Sequence, residues 1–263
     1  MQFSTEEFLY FLLWTADTLT MRPTWRNLND PFEIWVNRNG LSRRLRYLEQ
    51  EKLLERHPAA ELGRVVRLTE TGRVAAMGGR DPLERWARAW DGRWRMVLFD
   101  LPSKKRGLRM RWWRHLRAAG FGYLQNSVWI TPDSLAETER VLARESIAVE
   151  TLTLFEGRPA GGETDAQLVT GAWDFAQINS LYEQHLRLLR DAPTTADIAV
   201  LHEWVRRERT AWHAAVRLDP LLPQTLLPPD YAGKKAWAAR RQAFAKLGQL
   251  LVKPAEAKRP VDT

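Results

Sequence analysis

The chain has 263 residues, a hydrophobic content of 44% and no cysteine. This length allows two or three compact domains, and the absence of cysteine excludes disulfides, thiol catalysis and thiolate metal sites. The formal net charge of +8 favours a polyanionic partner such as nucleic acid, although a basic protein with no such partner has the same composition.

The first residues carry no targeting pattern. Met1–Tyr10 contains Glu6 and Glu7 and no basic stretch, so we do not expect a signal peptide. The apolar run Phe8–Trp14 is far shorter than the ~20 residues that span a bilayer. We therefore expect a cytoplasmic protein with no membrane association.

Residues 1–80 predict a winged helix-turn-helix domain. Helical patterns come first, and the clearest runs from about Leu41 to Glu51, with leucines at i, i+4 and i+7 forming a buried stripe. Two short strand-like runs follow, Leu53–His57 and Val65–Leu68. The order of helices, an amphipathic basic helix and a two-stranded ribbon is that of a winged helix.

The free face of this helix predicts a DNA-binding surface. Polar and basic side chains on a helix reach base edges in the major groove, and a ribbon lies on the phosphates. Residues 38–67 hold eight Lys/Arg against four Asp/Glu. The alternative, an ordinary amphipathic helix with a solvated face, is the less favoured interpretation. The predicted DNA-binding residues are Arg38, Asn39, Ser42, Arg43, Arg46, Tyr47, Gln50, Arg56, Arg64 and Arg67.

Residues 92–157 follow the order strand, helix, strand, strand, helix, strand, which is the ferredoxin-like pattern. The first strand, Trp94–Asp100, ends at an acid, and Gly120 is well placed to end the helix that follows. Between residues 104 and 117 there are seven basic residues and no acid. They have three interpretations: contact with DNA phosphates, contact with the phosphates of a nucleotide-bearing effector, or a solvated face. We favour the last for most of them and name Arg106 and Arg109 as candidates for an effector site.

Residues 165–252 predict a helical domain with a proline-rich interruption, and the polar tail 253–263 predicts disorder. The whole chain is thus expected to be α+β, with a winged-helix domain at 1–80, a ferredoxin-like dimerisation domain at 81–158 and a helical domain at 165–252.

Three stretches carry a family resemblance. The stretch FDLPSKKRGLRMRWWRHLRAAGFGYLQNSVWITP resembles the central domain of PaaX-type transcriptional repressors, which is itself similar to the small ferredoxin-fold nuclease subunit of CRISPR adaptation. AWDFAQINSLY and DPLLPQTLLPPDYAG are similar to the C-terminal region of the same family. The resemblance covers residues 92–245 in order.

The resemblance implies a bacterial repressor that binds palindromic double-stranded DNA as a homodimer. It also implies release by a small-molecule effector, an aryl- or acyl-coenzyme A thioester. No cofactor, metal or catalytic residue is expected, because the sequence holds no phosphate-binding loop, zinc helix or nucleophile elbow.

Two alternatives stay open. In the CRISPR nucleases the acid that ends the first strand has a metal-binding role. If Asp100 has the same role, the chain is a metal-dependent nuclease. One acid makes a weak Mg²⁺ site, so we favour a structural role for Asp100, such as pairing with an arginine. The other alternative is an effector-binding or interaction protein that does not bind DNA.

Overall fold

The computed structural model describes residues 4–19, 36–59, 63–76, 81–100, 106–125, 127–143 and 151–252. The chain groups into two compact units. The first unit consists of 1–80, 184–211 and 234–263, and the second of 81–183 and 212–233. The domain boundaries predicted along the sequence stay a prediction, because packing units and sequential domains are different divisions of a chain.

The first unit begins with short helices around a two-stranded ribbon. Ser4 and Glu7 form a capping box at its first helix, since each backbone N–H donates to the other side chain, at 2.8 and 3.2 Å. The elements are α1 (Thr5–Leu19), α2 (Ser42–Gln50), β1 (Leu54–Ala59), β2 (Gly63–Leu68) and α3 (Glu70–Ala76).

The ribbon and its neighbouring helices are tightly fitted. β1 and β2 pair antiparallel from Leu54 opposite Leu68 to Ala59 opposite Gly63. Gly72 in α3 lies so close to the ribbon that a Cβ there would be 2.0 Å from the Leu53 carbonyl oxygen, so only glycine fits. The predicted helix and both predicted strands are confirmed. The winged-helix assignment stays a prediction, because residues 20–35, between α1 and α2, lie outside the described ranges.

The second unit contains a four-stranded antiparallel sheet with helices before, within and after it. The elements are α4 (Pro82–Ala87), β3 (Trp94–Asp100), α5 (Arg106–Ala118), β4 (Gly122–Gln125), β5 (Val128–Thr131), α6 (Leu135–Ala143), β6 (Thr151–Gly157) and α7 (Asp165–Ala172). The strands lie in the order β4-β5-β3-β6. This order and the predicted alternation of strands and helices agree with the ferredoxin-like pattern.

The core of this unit lies between one face of the sheet and helices α5 and α6. Val97 and Trp129 are register partners on the two central strands, and they pack with Trp112 and Leu116 of α5. Gly120 has φ +92°, so it ends α5 in the left-handed conformation that the sequence predicted.

The C-terminal part is helical, as predicted, with a short 3₁₀ turn in its proline-rich interruption. The helices are α8 (Phe175–Arg190), α9 (Ile198–Leu218) and α10 (Gly233–Val252), and the turn is Gln224–Leu226. None of the helices in the described ranges is both long and apolar enough to cross a membrane. The predicted disordered tail lies outside those ranges.

Candidate nucleic-acid interface

Helix α2 separates an apolar face from a basic one. Leu45 and Leu48 are buried, and so is Leu41, which precedes the helix. Gly40, with φ +69°, supplies the turn that leads into the helix. The burial of the leucine stripe turns the remaining side chains towards the surface.

A surface hollow of about 590 Å³ lies over this basic face. Among the described residues it is lined by Thr5, Gly40, Arg43, Arg44, Arg46 and Tyr47, so three guanidinium groups and no carboxylate of this set border it. Arginine presents its donors in a planar fork that matches phosphate oxygens and the O6/N7 edge of guanine. Tyr47, 48% exposed, adds a flat ring to the same surface.

The structure brings together some of the predicted DNA-binding residues. Arg43, Arg46 and Tyr47 share the hollow, whereas exposed Arg38 and Gln50 are not among its lining residues. Asn39 and Ser42 are half-buried, and the backbone carbonyl of Ser42 accepts a long 3.5 Å hydrogen bond from Arg46 Nε.

Sequence reasoning missed two residues of the hollow, Arg44 and Thr5. The signal for Arg44 was its position directly after Arg43 at the start of a short helix. Thr5 belongs to α1, and its approach to α2 depends on tertiary packing that periodicity does not report.

For the three arginines of the ribbon, the structure gives the strand register but no side-chain position. Arg56 is opposite Val66, Arg64 opposite Pro58, and Arg67 opposite Glu55. Their side chains lie outside the described part of the chain. Their contact with phosphates therefore stays a prediction.

The candidate metal-binding residue and the two candidate effector-binding residues lie in the second unit. Asp100 is the last residue of β3 and pairs with Thr151, but its side chain is not among those described, and neither is that of Arg106. Arg109 is half-buried on α5. Among the described side chains, no group of three or more His, Asp or Glu residues is placed to hold a metal ion.

The C-terminal sequence motifs meet at one buried carboxylate. Asp219 accepts hydrogen bonds from the hydroxyl of Tyr182 at 2.5 Å, from the hydroxyl of Tyr231, and from the backbone N–H of Leu221 at 2.8 Å. Burial and then the charge of Asp219 raise the pKa of Tyr182 well above its ordinary value, so this hydroxyl stays protonated as a donor.

The same carboxylate fixes a strained backbone. Leu221 has φ +51°, which is unfavourable for a leucine, and its carbonyl oxygen accepts a hydrogen bond from Arg88. The motif residues therefore hold the proline-rich segment in place, and their arrangement is structural.

Comparison with known families agrees with these motifs. Residues 87–169 match the model of the PaaX protein central Cas2-like domain, and residues 173–258 match that of the PaaX-like protein C-terminal domain. Together the two matches span more than half of the chain. The chain belongs to the PaaX family. Neither PaaX match extends into residues 1–86, which contain α2 and the ribbon.

Two comparisons with individual proteins show how far the likeness extends along the chain. The transcriptional repressor PaaX of Escherichia coli K12 is 27% identical over 161 residues, a match that covers 56% of this chain and 49%, about half, of the repressor. An uncharacterized protein from Mycobacterium tuberculosis, Rv0674, superposes with a TM-score of 0.54 over 91% of this chain and 96% of that one. Its identity is 23%, so this likeness concerns the fold alone.

Proposed function

We propose that this protein is a DNA-binding transcriptional regulator that acts as a repressor. The observation that carries the proposal is the basic face of α2, where three arginines, and no acid among the described residues, border one hollow. Membership of the PaaX family and the likeness to a protein named as a transcriptional repressor support it.

In the proposed complex, α2 enters the major groove. Arg43 and Arg46 supply bidentate donors to base edges or phosphates, and the ribbon arginines neutralise the neighbouring phosphates. Because each neutralised phosphate releases counterions, DNA affinity falls steeply as salt rises. The protein itself is non-enzymatic in this proposal.

The proposed regulator is a homodimer on a palindromic site. The strand β6 supports this, because it lies at the edge of the sheet and exposes Leu152 and Phe155, 42% and 51% respectively. Exposed apolar side chains on an unpaired edge favour association with a second sheet. An effector of the acyl-coenzyme A type then releases DNA by favouring a dimer geometry whose helices no longer match the half-sites.

The test begins with selection of bound duplexes from a random double-stranded DNA pool. Mobility-shift titrations on the selected sequence then compare the wild type with the double variant Arg43→Ala/Arg46→Ala. We expect affinity to fall at least about 30-fold, since each of the two lost bidentate contacts costs about 1–3 kcal/mol. The matched control, Arg187→Ala/Arg217→Ala, removes two exposed arginines elsewhere and is expected to bind like the wild type. Equal affinity of both double variants contradicts the proposed role of α2.

The nuclease alternative is tested on the same DNA, and on RNA, with Mg²⁺ or Mn²⁺ added. Intact nucleic acid after incubation agrees with a regulator. Cleavage that disappears in Asp100→Asn would establish the nuclease instead.

A further inference from the structure

The first unit holds a second hollow, a groove between the end of α8 and the length of α10. Its volume is about 590 Å³, within the range of about 300–1,000 Å³ typical of small-molecule sites. The turn after α8, residues 192–194, closes one side. The DNA-binding face proposed above contributes none of its lining residues.

The floor of the groove is apolar. Leu189 of α8 and Ala243 of α10 are buried, and Leu186, Ala239 and Leu250 are half-buried beside them. Ala239 and Ala243 are one turn apart on α10, and their small side chains leave the space that the groove occupies. An apolar body placed there loses contact with water along most of its length.

Three cations surround this floor, and the lining residues that the structure describes include no acid. Arg190, Lys235 and Lys246 are exposed, and none of them forms an ion pair with any residue that the structure describes. Lys235 and Lys246 are eleven residues apart on one helix, which corresponds to about 16 Å along its axis. The groove therefore has positive charge at both ends and an apolar middle.

We propose that this groove binds an anionic amphiphile, a small molecule with a carboxylate or phosphate head and an aliphatic or aromatic body. The head pairs with a lysine or with Arg190, and the body covers Leu189 and the two alanines. As the effector site of the regulator this inference rests on the function proposed above, but binding itself needs no DNA.

Calorimetric titration of the full chain tests the ligand class with four probes. Decanoate and decyl phosphate carry both head and body, acetate carries only a carboxylate, and 1-decanol carries only the body. We expect one molecule of decanoate or decyl phosphate per chain, at least tenfold weaker binding of decanol and no binding of acetate. The ratio of decyl phosphate to decanoate affinity distinguishes a phosphate head from a carboxylate. Equal binding of decanol and decanoate contradicts the role of the cations.

Variants locate the site. Lys246→Glu and Lys235→Glu are expected to weaken decanoate binding at least tenfold each. The control, Lys234→Glu, makes the same charge change on the same helix outside the groove and is expected to bind normally. Ala239→Trp fills the groove and should abolish binding while the helical circular dichroism stays unchanged. Unaltered binding in Ala239→Trp, or equal losses in all three glutamate variants, overturns the inference.

Two further measurements test whether a second copy of the chain fills the groove and whether the groove and the DNA-binding proposals stand independently. If sedimentation velocity shows a self-association that Ala239→Trp abolishes, a second copy of the chain occupies the groove and the inference is wrong. DNA titrations with and without decanoate separate the two proposals. Decanoate binding without any sequence-selective DNA binding retains the groove and rejects the regulator, and the reverse rejects the groove alone.

Discussion

Two buried acids eleven residues apart, Glu208 in the first unit and Asp219 in the second, are stabilised in different ways. Glu208 is fully buried, and its carboxylate receives His185 Nε2 and Arg240 Nε, each at 2.7 Å, and the Tyr10 hydroxyl at 2.7 Å. The three hydrogen bonds to Asp219 described above come from two hydroxyls and a backbone N–H. Among these hydrogen bonds, those to Glu208 include one from a cation, and those to Asp219 come from neutral donors.

The two acids also connect different parts of the chain. Asp219 joins the end of α9 to the proline-rich segment that follows it. Glu208 joins α9 to α1, α8 and α10, so it ties the N-terminal helix to the helices that line the groove. Because α1 also contributes Thr5 to the DNA-binding hollow, one buried acid links both proposed sites within the first unit. The comparison predicts that the two clusters respond differently when single partners are removed.

The largest expected effect is that of Arg240→Met. It leaves the Glu208 charge buried without the guanidinium, and removing one partner of a buried ion pair costs about 3–5 kcal/mol. Urea denaturation measures the change in the free energy of unfolding. The double variant Arg240→Met/Glu208→Gln is expected to recover part of the loss, because it removes the buried charge as well. A double variant no more stable than the single one contradicts this account of the cluster.

Next in size is Asp219→Ala. It leaves two hydroxyls and the N–H of Leu221 without their acceptor, and each buried unsatisfied group costs about 1–3 kcal/mol. Because Tyr231 is only half-buried, we expect a loss at the lower end of the summed range, about 3 kcal/mol in the free energy of unfolding, measured by urea denaturation. Asp230→Ala, which removes an exposed acid from the same segment, is the control and should change little. Equal losses in the two variants would show that Asp219 has no special role.

Removal of a single hydroxyl from each cluster is expected to have a smaller effect. Tyr10→Phe removes a hydrogen-bond donor to a charged acceptor, which we expect to lower the free energy of unfolding by about 2 kcal/mol. The variant keeps the aromatic ring, whose centroid lies 4.7 Å from the Arg240 guanidinium carbon. Tyr231→Phe should cost less, about 1 kcal/mol, since Tyr182 donates to the same Oδ2 atom of Asp219. Thermal unfolding monitored by circular dichroism gives the order of the two variants. The reverse order would mean that the cation-held cluster tolerates the loss better.

Local patterns in the sequence were sufficient to predict much of the fold. The leucine stripe of α2, the strand and helix order of the central segment and the end of α5 at Gly120 all depend on spacing along a few turns, which periodicity reports directly. The exposed arginines of α2 followed from the same stripe, because burying the leucines leaves the opposite face outside.

What the sequence did not predict depends on residues that are far apart along the chain. Tyr10 meets Glu208 across 198 positions and Arg240 meets it across 32, and the groove combines Arg190 with Lys246. Such contacts follow from tertiary packing, and one sequence carries no local signal for them. The motif DPLLPQTLLPPDYAG was noticed for its resemblance, but the pairing of Asp219 with Tyr182 and Tyr231 required coordinates.

The smallest expected effect concerns a third buried acid, Asp133, and depends on pH. Its carboxylate accepts hydrogen bonds from Arg85 at 2.9 Å and Arg88 at 2.8 Å. Burial raises the pKa of Asp133, but the charges and hydrogen bonds of the two arginines outweigh that and hold it below its ordinary value. The unfolded chain then binds the proton more readily than the folded one, so Asp133 stabilises the fold above its unfolded pKa of about 3.9 and loses this effect as the pH falls through the folded pKa.

Asp133→Asn should therefore be less stable than the wild type at pH 7, by about 1 kcal/mol, because the arginines are partly solvated and the amide still accepts one hydrogen bond. The difference should shrink as the pH is lowered below 4, because the wild type then loses the charge that the variant never has. Urea denaturation at pH 7, 5 and 3 measures it, and Asp230→Asn, on an exposed acid, provides the control. A difference that stays constant from pH 7 to 3 would show that Asp133 acts through its shape and hydrogen bonds, and that its charge, unlike that of Glu208, contributes nothing to the fold.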